Sequence, residues 1–201
     1  GINAAARTTC VKPSGNASVL LQTASGIHAE HSNMYIRNVQ MNKESEITQA
    51  IMKTNPYMVE ESVWSSTGTD VVVSFPILPK KGSMYKDDLL GIKHLELVKK
   101  AQKYWVETGT NEELCADKGI RHNVSNTIIV DDWDNVEKYV YENRDAFAGI
   151  SFLAMTGDKD YNQAPNTGVI DSKTMVKKYG DASIFASGLV VDALKVFPNL
   201  W

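Results

Sequence analysis

Two short apolar runs, Ile128-Ile129-Val130 and Ile150-Ser151-Phe152-Leu153, flank a helical segment that opens at Asp131-Asp132. This arrangement constrains the fold more than any other feature. The first run belongs to a β-branched stretch from His122 to Val130 and is predicted as a strand. The helix places Val136, Val140 and Phe147 on an apolar side, with Gly149 as its stop and carboxylates at its start, where exposed N–H groups and the dipole favour them. Strand, helix and strand over roughly thirty residues make a βαβ crossover, which requires parallel pairing. A second strand this short and apolar is expected to be covered on both faces.

The rest of the chain extends the same alternation. Thr8-Thr9-Cys10-Val11 reads as a strand stopped by Pro13, Ser14 and Gly15, and Asn16 to Gln22 as a helix opening. Met34 to Met41 alternates as a strand does, Ser45 to Lys53 reads as helix, and Thr69 to Phe75 is a β-branched run ended by Pro76 and Pro79. Asp87 to Glu107 carries the longest helical signal, with Ile92, Leu95, Val98, Ala101 and Trp105 as its apolar stripe. Ile170 to Tyr179 and Asp181 to Val196 read as helices. The fold class is therefore α/β, a parallel or mixed sheet with flanking helices, with too few strands to close a barrel alone. No linker or repeat divides the chain, so residues 1–201 are taken as a single fragment. It begins at Gly1 without an initiator Met and ends on the apolar run Leu194 to Trp201, which reads as a segment cut before its natural finish.

Composition excludes several classes of function. Hydrophobic residues make up 43% and charged residues 22% of 201 residues, the mix of a globular chain. A net charge of −3 gives no general attraction to nucleic acid or anionic membrane, so a phosphate must be held locally. No apolar run suits a bilayer span and no signal peptide is evident, so a cytoplasmic location is expected. Cys10 and Cys115 stand far apart and form no CxxC pair, which fits a reducing compartment. Both are expected to be structural thiols. His28 and His31 have helical spacing but lack further ligands at metal-site spacing, so no metal is expected. No GxSxG elbow occurs, and Trp64, Trp105, Trp133 and Trp201 lack basic interleaving.

The stretch that carries chemistry is Lys12-Pro13-Ser14-Gly15-Asn16-Ala17-Ser18. A strand ends, a small polar turn follows and a helix begins, which leaves backbone N–H groups directed at one spot with the positive end of the helix dipole behind them. Gly15 admits close approach to the backbone, Ser14, Asn16 and Ser18 add side-chain donors, and Lys12 supplies a charge. An ordinary capped helix after a turn explains the same residues. The stretch has neither P-loop nor Rossmann glycine spacing.

The run Thr8 to Ser18, followed by Ser25-Gly26-Ile27-His28, resembles the phosphate-loop region of ribonucleotide reductase large subunits, most closely the adenosylcobalamin-dependent class II branch. The likeness continues through Tyr35-Ile36-Arg37, Ser74-Phe75-Pro76, His122 to Thr127, Gly149 to Leu153 and Tyr161-Asn162-Gln163-Ala164-Pro165, in the family's order. A class I fragment would have a tyrosine pair on the strand at Gly149 to Leu153, where this chain has Phe152.

The resemblance implies the C-terminal portion of a ten-stranded α/β barrel and reduction of the 2′-hydroxyl of ribonucleoside di- or triphosphates by thiyl-radical chemistry. It implies adenosylcobalamin as cofactor and a thioredoxin-like reductant as partner of the whole enzyme, with no direct nucleic-acid partner. Carried over by position, Pro13, Ser14, Gly15, Asn16, Ala17 and Ser18 would bind the substrate phosphates. The family usually has Thr where this chain has Asn16, which puts that hydroxyl contact in doubt. The radical and redox cysteines would lie outside the chain, so no catalytic residue is assigned and the isolated piece should be inactive. The alternative is a free-standing nucleotide- or phosphate-binding module without catalysis.

Overall fold

The computed structural model describes residues 1–14, 17–18, 21, 23–155 and 163–168. In chain order the regular elements are β1 (Tyr35–Asn42), α1 (Glu46–Thr54), β2 (Val59–Glu61), β3 (Asp70–Ile77), α2 (Gly91–Ala101), β4 (Ile128–Val130), α3 (Trp133–Glu142), β5 (Phe152–Ala154) and β6 (Asn166–Gly168). They gather into two compact units interleaved along the sequence. One holds the described residues among 1–30 and 80–155, the other residues 31–79 and 163–168.

The second unit is an antiparallel sheet of order β2-β3-β1-β6 with α1 against it. Ile36, Ile51, Met58, Val71 and Val73 form its core. Ser45 caps α1 by accepting from the Thr48 amide, as the serine ahead of an apolar-periodic run predicts. Asn38 ties β1 to β3 and to the segment before β6 through its side chain, donating to the Ala164 carbonyl at 2.7 Å and accepting from the Ser74 hydroxyl at 2.8 Å. Pro76 does not end β3 as expected, but pairs with Ile36 inside it. β2 reaches only Val71–Val73, so among the described residues Pro76 stands where β3 is an edge and its missing N–H costs no ladder bond.

The first unit contains the predicted βαβ crossover: β4 and β5 pair in parallel, Ile128 opposite Phe152, with α3 between them. Asp132 caps α3 through the Asn135 amide. The core consists of Leu95, Val98, Val106, Val124, Ile128, Val130 and Val136, with Val11, Ile27, Val140 and Phe147 partly buried against it. Tyr139 of α3 donates its hydroxyl to Glu96 of α2.

Several expectations need correction. The strand from His122 to Val130 contracts to β4, with Val124 making only an isolated parallel bridge to Val11. The interruption falls at Asn126, which is buried and donates to the Val124 carbonyl at 2.7 Å and the Gly149 carbonyl at 2.9 Å. Its side chain thus replaces ladder bonds. Thr8 to Val11 is extended but bridged only at its end, and α3 stops at Glu142 rather than Gly149. The long helix is α2 flanked by a tight turn at Lys86–Asp88 and a wider π-type turn over Gln102–Glu107. That wider turn shifts the phase of the helix, so Val106 is buried whereas Trp105 is exposed; Ile92, in the first turn of α2, is exposed as well. On β5, Phe152 and Leu153 are exposed rather than covered. The helices read over Ile170 to Tyr179 and Asp181 to Val196 lie outside the described residues. Content is mixed α/β as expected, and neither sheet closes on itself among the described residues.

Candidate functional site

The approach to the turn at Pro13 and Ser14 is held on both sides. Thr8 directs its amide and its hydroxyl to the Gly109 carbonyl, at 2.9 and 3.0 Å. Thr9 donates its hydroxyl to the Trp105 carbonyl at 2.7 Å, and the Trp105 indole returns a bond to the Cys10 carbonyl at 3.2 Å. Opposite, a ring nitrogen of His122 donates to the Thr9 carbonyl, the Val11 amide to Asn123 and the Ser125 amide to Val11. Gly109 is required for this fit, since a Cβ there would stand 1.9 Å from the Thr9 hydroxyl oxygen.

Pro13 is exposed, Ser14 half-buried, and Ala17 and Ser18 have helical backbone, Ala17 exposed and Ser18 buried. Gly15 and Asn16 lie outside the described residues. Ser14 and Ser18 are brought together, as the Ser18 hydroxyl donates to the Ser14 carbonyl at 2.6 Å. That hydroxyl hydrogen is therefore directed into the turn. Lys12 is exposed.

A second turn clasps the first. The Ser25 hydroxyl donates to the Ser14 carbonyl at 3.2 Å. Gly26 adopts φ +63°, and a Cβ there would stand 2.9 Å from the Lys12 carbonyl oxygen and 3.3 Å from Pro13 Cα. His28 closes this turn on itself with Nδ1 3.0 Å from the Ser25 carbonyl. Helix α2 supplies His94, buried, with Nε2 3.0 Å from the Ile27 carbonyl and its ring edge-on to His28 at 5.9 Å. Burial first, then the neighbouring His28, hold the His94 pKa below its ordinary value, while the bond to Ile27 acts the other way. Both carbonyls can only accept, so His28 carries its proton on Nδ1 and His94 on Nε2.

Sequence reasoning missed Ser25 and Gly26 as supports and His94 altogether. A glycine between polar residues and a histidine beside Leu95 on the inner face of the helix are the signals that were available. Cys10 is exposed rather than buried, contributing its carbonyl, and Cys115 is half-buried; both are free thiols. Among the described residues no group of three or more His, Cys, Asp or Glu is placed to hold a metal, and no helix is long and apolar enough to cross a membrane.

No protein-family model matches the chain. The chain is 34% identical over 101 residues to a probable adenosylcobalamin-dependent ribonucleoside-triphosphate reductase of Dictyostelium discoideum, covering 50% of this chain and 13% of that protein. It is 26% identical over 111 residues to the adenosylcobalamin-dependent ribonucleoside-triphosphate reductase of Euglena gracilis, covering 55% of this chain and 15% of that one. The matches thus span about one-seventh of those relatives. The fold matches a crystal structure of a B12-dependent (class II) ribonucleotide reductase with a TM-score of 0.69 at 18% identity, over 95% of this chain and 24% of that one. In sequence over half its length, and in fold over nearly all of it, the chain is similar to part of an adenosylcobalamin-dependent ribonucleotide reductase.

Proposed function

We propose that this chain is the substrate-phosphate-binding part of an adenosylcobalamin-dependent ribonucleotide reductase, forming the C-terminal portion of a ten-stranded α/β barrel in the whole enzyme. The observation that carries the reading is that sequence and fold likenesses converge on the same enzyme, and the sequence Val11 to Ser18 has the polar turn leading to a helix that such a phosphate site would use. Amides at a helix start bind anions without needing a side-chain charge, which suits an acidic chain. The names of both relatives favour a ribonucleoside triphosphate. The whole enzyme would exchange the ribose 2′-hydroxyl for hydrogen by thiyl-radical chemistry, with a thioredoxin-like protein returning the electrons.

Within that reaction this chain's residues bind and orient. The turn at Pro13, Ser14, Gly15, Asn16, Ala17 and Ser18 fixes the phosphates, and the supports around Thr8 to Val11 and Ser25 to His28 keep the turn from yielding. Adenosylcobalamin would supply the radical when bound. A reducing cytoplasm fits the two free cysteines. The likenesses to whole reductases favour this reading over a free-standing phosphate-binding module.

The test is kinetic. In the full-length protein, Ser14→Ala and Gly15→Val should raise KM for the nucleotide and leave the affinity for adenosylcobalamin unchanged. Equal losses of both, or unaltered KM, would contradict the assignment.

A further inference from the structure

We propose that His94 is a positioning residue for the phosphate turn: by holding the Ile27 carbonyl, its imidazole fixes the Ser25–His28 turn against which Lys12, Pro13 and Ser14 are set. The inference rests on the phosphate reading above and deepens it.

The chain of contacts is short and each link is tight. His94 Nε2 donates to the Ile27 carbonyl at 3.0 Å from the buried side of α2. Ile27 also sends its side chain into the core that contains Leu95 and Val98, so this residue is fixed at both its apolar and its polar end. One residue earlier, Gly26 lies against the Lys12 carbonyl with no room for a Cβ. One residue earlier again, the Ser25 hydroxyl reaches the Ser14 carbonyl at 3.2 Å. The Ser25 carbonyl in turn accepts from both the amide and Nδ1 of His28. A displacement of Ile27 therefore passes directly to Lys12 and Ser14, through contacts too close to absorb it.

Chemistry argues that position, not packing, is what His94 provides. An aliphatic side chain would suit its apolar neighbours Leu95 and Val98 without the desolvation that a buried imidazole incurs. What leucine cannot supply is a directional N–H aimed at one carbonyl. The Ile27 carbonyl would otherwise lack this bond, and the backbone carrying Gly26 would be free to turn away from Lys12.

The experiment compares tripolyphosphate binding by the full-length protein and its His94→Leu, His94→Gln and His94→Asn variants, by calorimetry, with circular dichroism and thermal unfolding as a check on folding. Glutamine can present an amide N–H near the place of Nε2, whereas asparagine is too short to reach. His94→Leu and His94→Asn should bind about tenfold more weakly and His94→Gln within about threefold of wild type, as expected for one hydrogen bond that orients a site. In turnover the two weak variants should raise KM for the nucleotide with little change in kcat. If His94→Leu does not fold, the Gln–Asn pair decides. Wild-type affinity in the Asn variant, or Gln as weak as Asn, overturns the inference alone. Absence of tripolyphosphate binding by wild-type protein overturns the phosphate reading and this inference together.

Discussion

Gly26 and Lys12 meet backbone to backbone: a methyl group on Gly26 would stand 2.9 Å from the Lys12 carbonyl oxygen, and Gly26 itself has φ +63°. Two separate requirements, a left-handed backbone and an absent side chain, thus fall on one residue. Both requirements lie outside Pro13 and Ser14, yet they determine how the turn at those residues is supported.

Gly26→Ala should therefore lower stability by about 1–3 kcal/mol, from the left-handed conformation plus the forced separation from Lys12. Urea unfolding of the full-length protein measures it. Gly68, with φ +65° but nothing within 4 Å of its Cβ position, is the control: Gly68→Ala should cost only the conformational part.

Asn126 is the second structural prediction. Its side chain donates to the carbonyls of Val124 and Gly149 and accepts from the Ser151 amide at 3.3 Å, joining both approaches to the parallel pair β4–β5. Asn126→Asp keeps the shape but sets a carboxylate against two carbonyls. A loss of about 2–4 kcal/mol is expected at neutral pH, shrinking as acid protonates the new carboxyl. Denaturation at two pH values checks both the size and the trend.

How much of this was legible in the sequence depended on whether the signal was local. β1 and α1 were readable because the alternation over Met34 to Met41 and the helical pattern over Ser45 to Lys53 are set by adjacent residues. The βαβ crossover was readable for the same reason, through the cap at Asp132. The apolar stripe ending on Trp105 was misread because the π-type turn at Gln102 changes the periodicity, and Val106 takes the inward position instead. Asn126 interrupting a β-branched run could not be foreseen, since its partners Gly149 and Ser151 are distant in sequence. The turn at Pro13 and Ser14 was visible from its proline and small polar residues, although the strand read before it is only a bridge at Val11. Its supports at Gly26 and His94 were not, because a positive φ and a bond to a remote carbonyl leave no periodic trace.

His94 gives a pH prediction with a definite sign. Its folded pKa lies below the ordinary 6.5, chiefly from burial. Below 6.5 the unfolded chain takes up a proton that the folded chain resists, so stability falls as pH drops through that value and levels off once folded His94 is also protonated. His94→Gln should flatten this part of the stability profile, read as the difference between wild-type and variant unfolding midpoints from pH 8 to pH 5. Parallel profiles would contradict the assignment.

The central claim, that the amides opening the helix after Pro13 receive a nucleotide's phosphates, is tested most directly by nuclear magnetic resonance. Full-length protein labelled at Gly15, Asn16, Ala17 and Ser18 would be titrated with a ribonucleoside triphosphate. The account predicts saturable shifts of these four amides, reproduced by tripolyphosphate and absent with the unphosphorylated nucleoside. Nucleotide binding that leaves all four amides unmoved would contradict it.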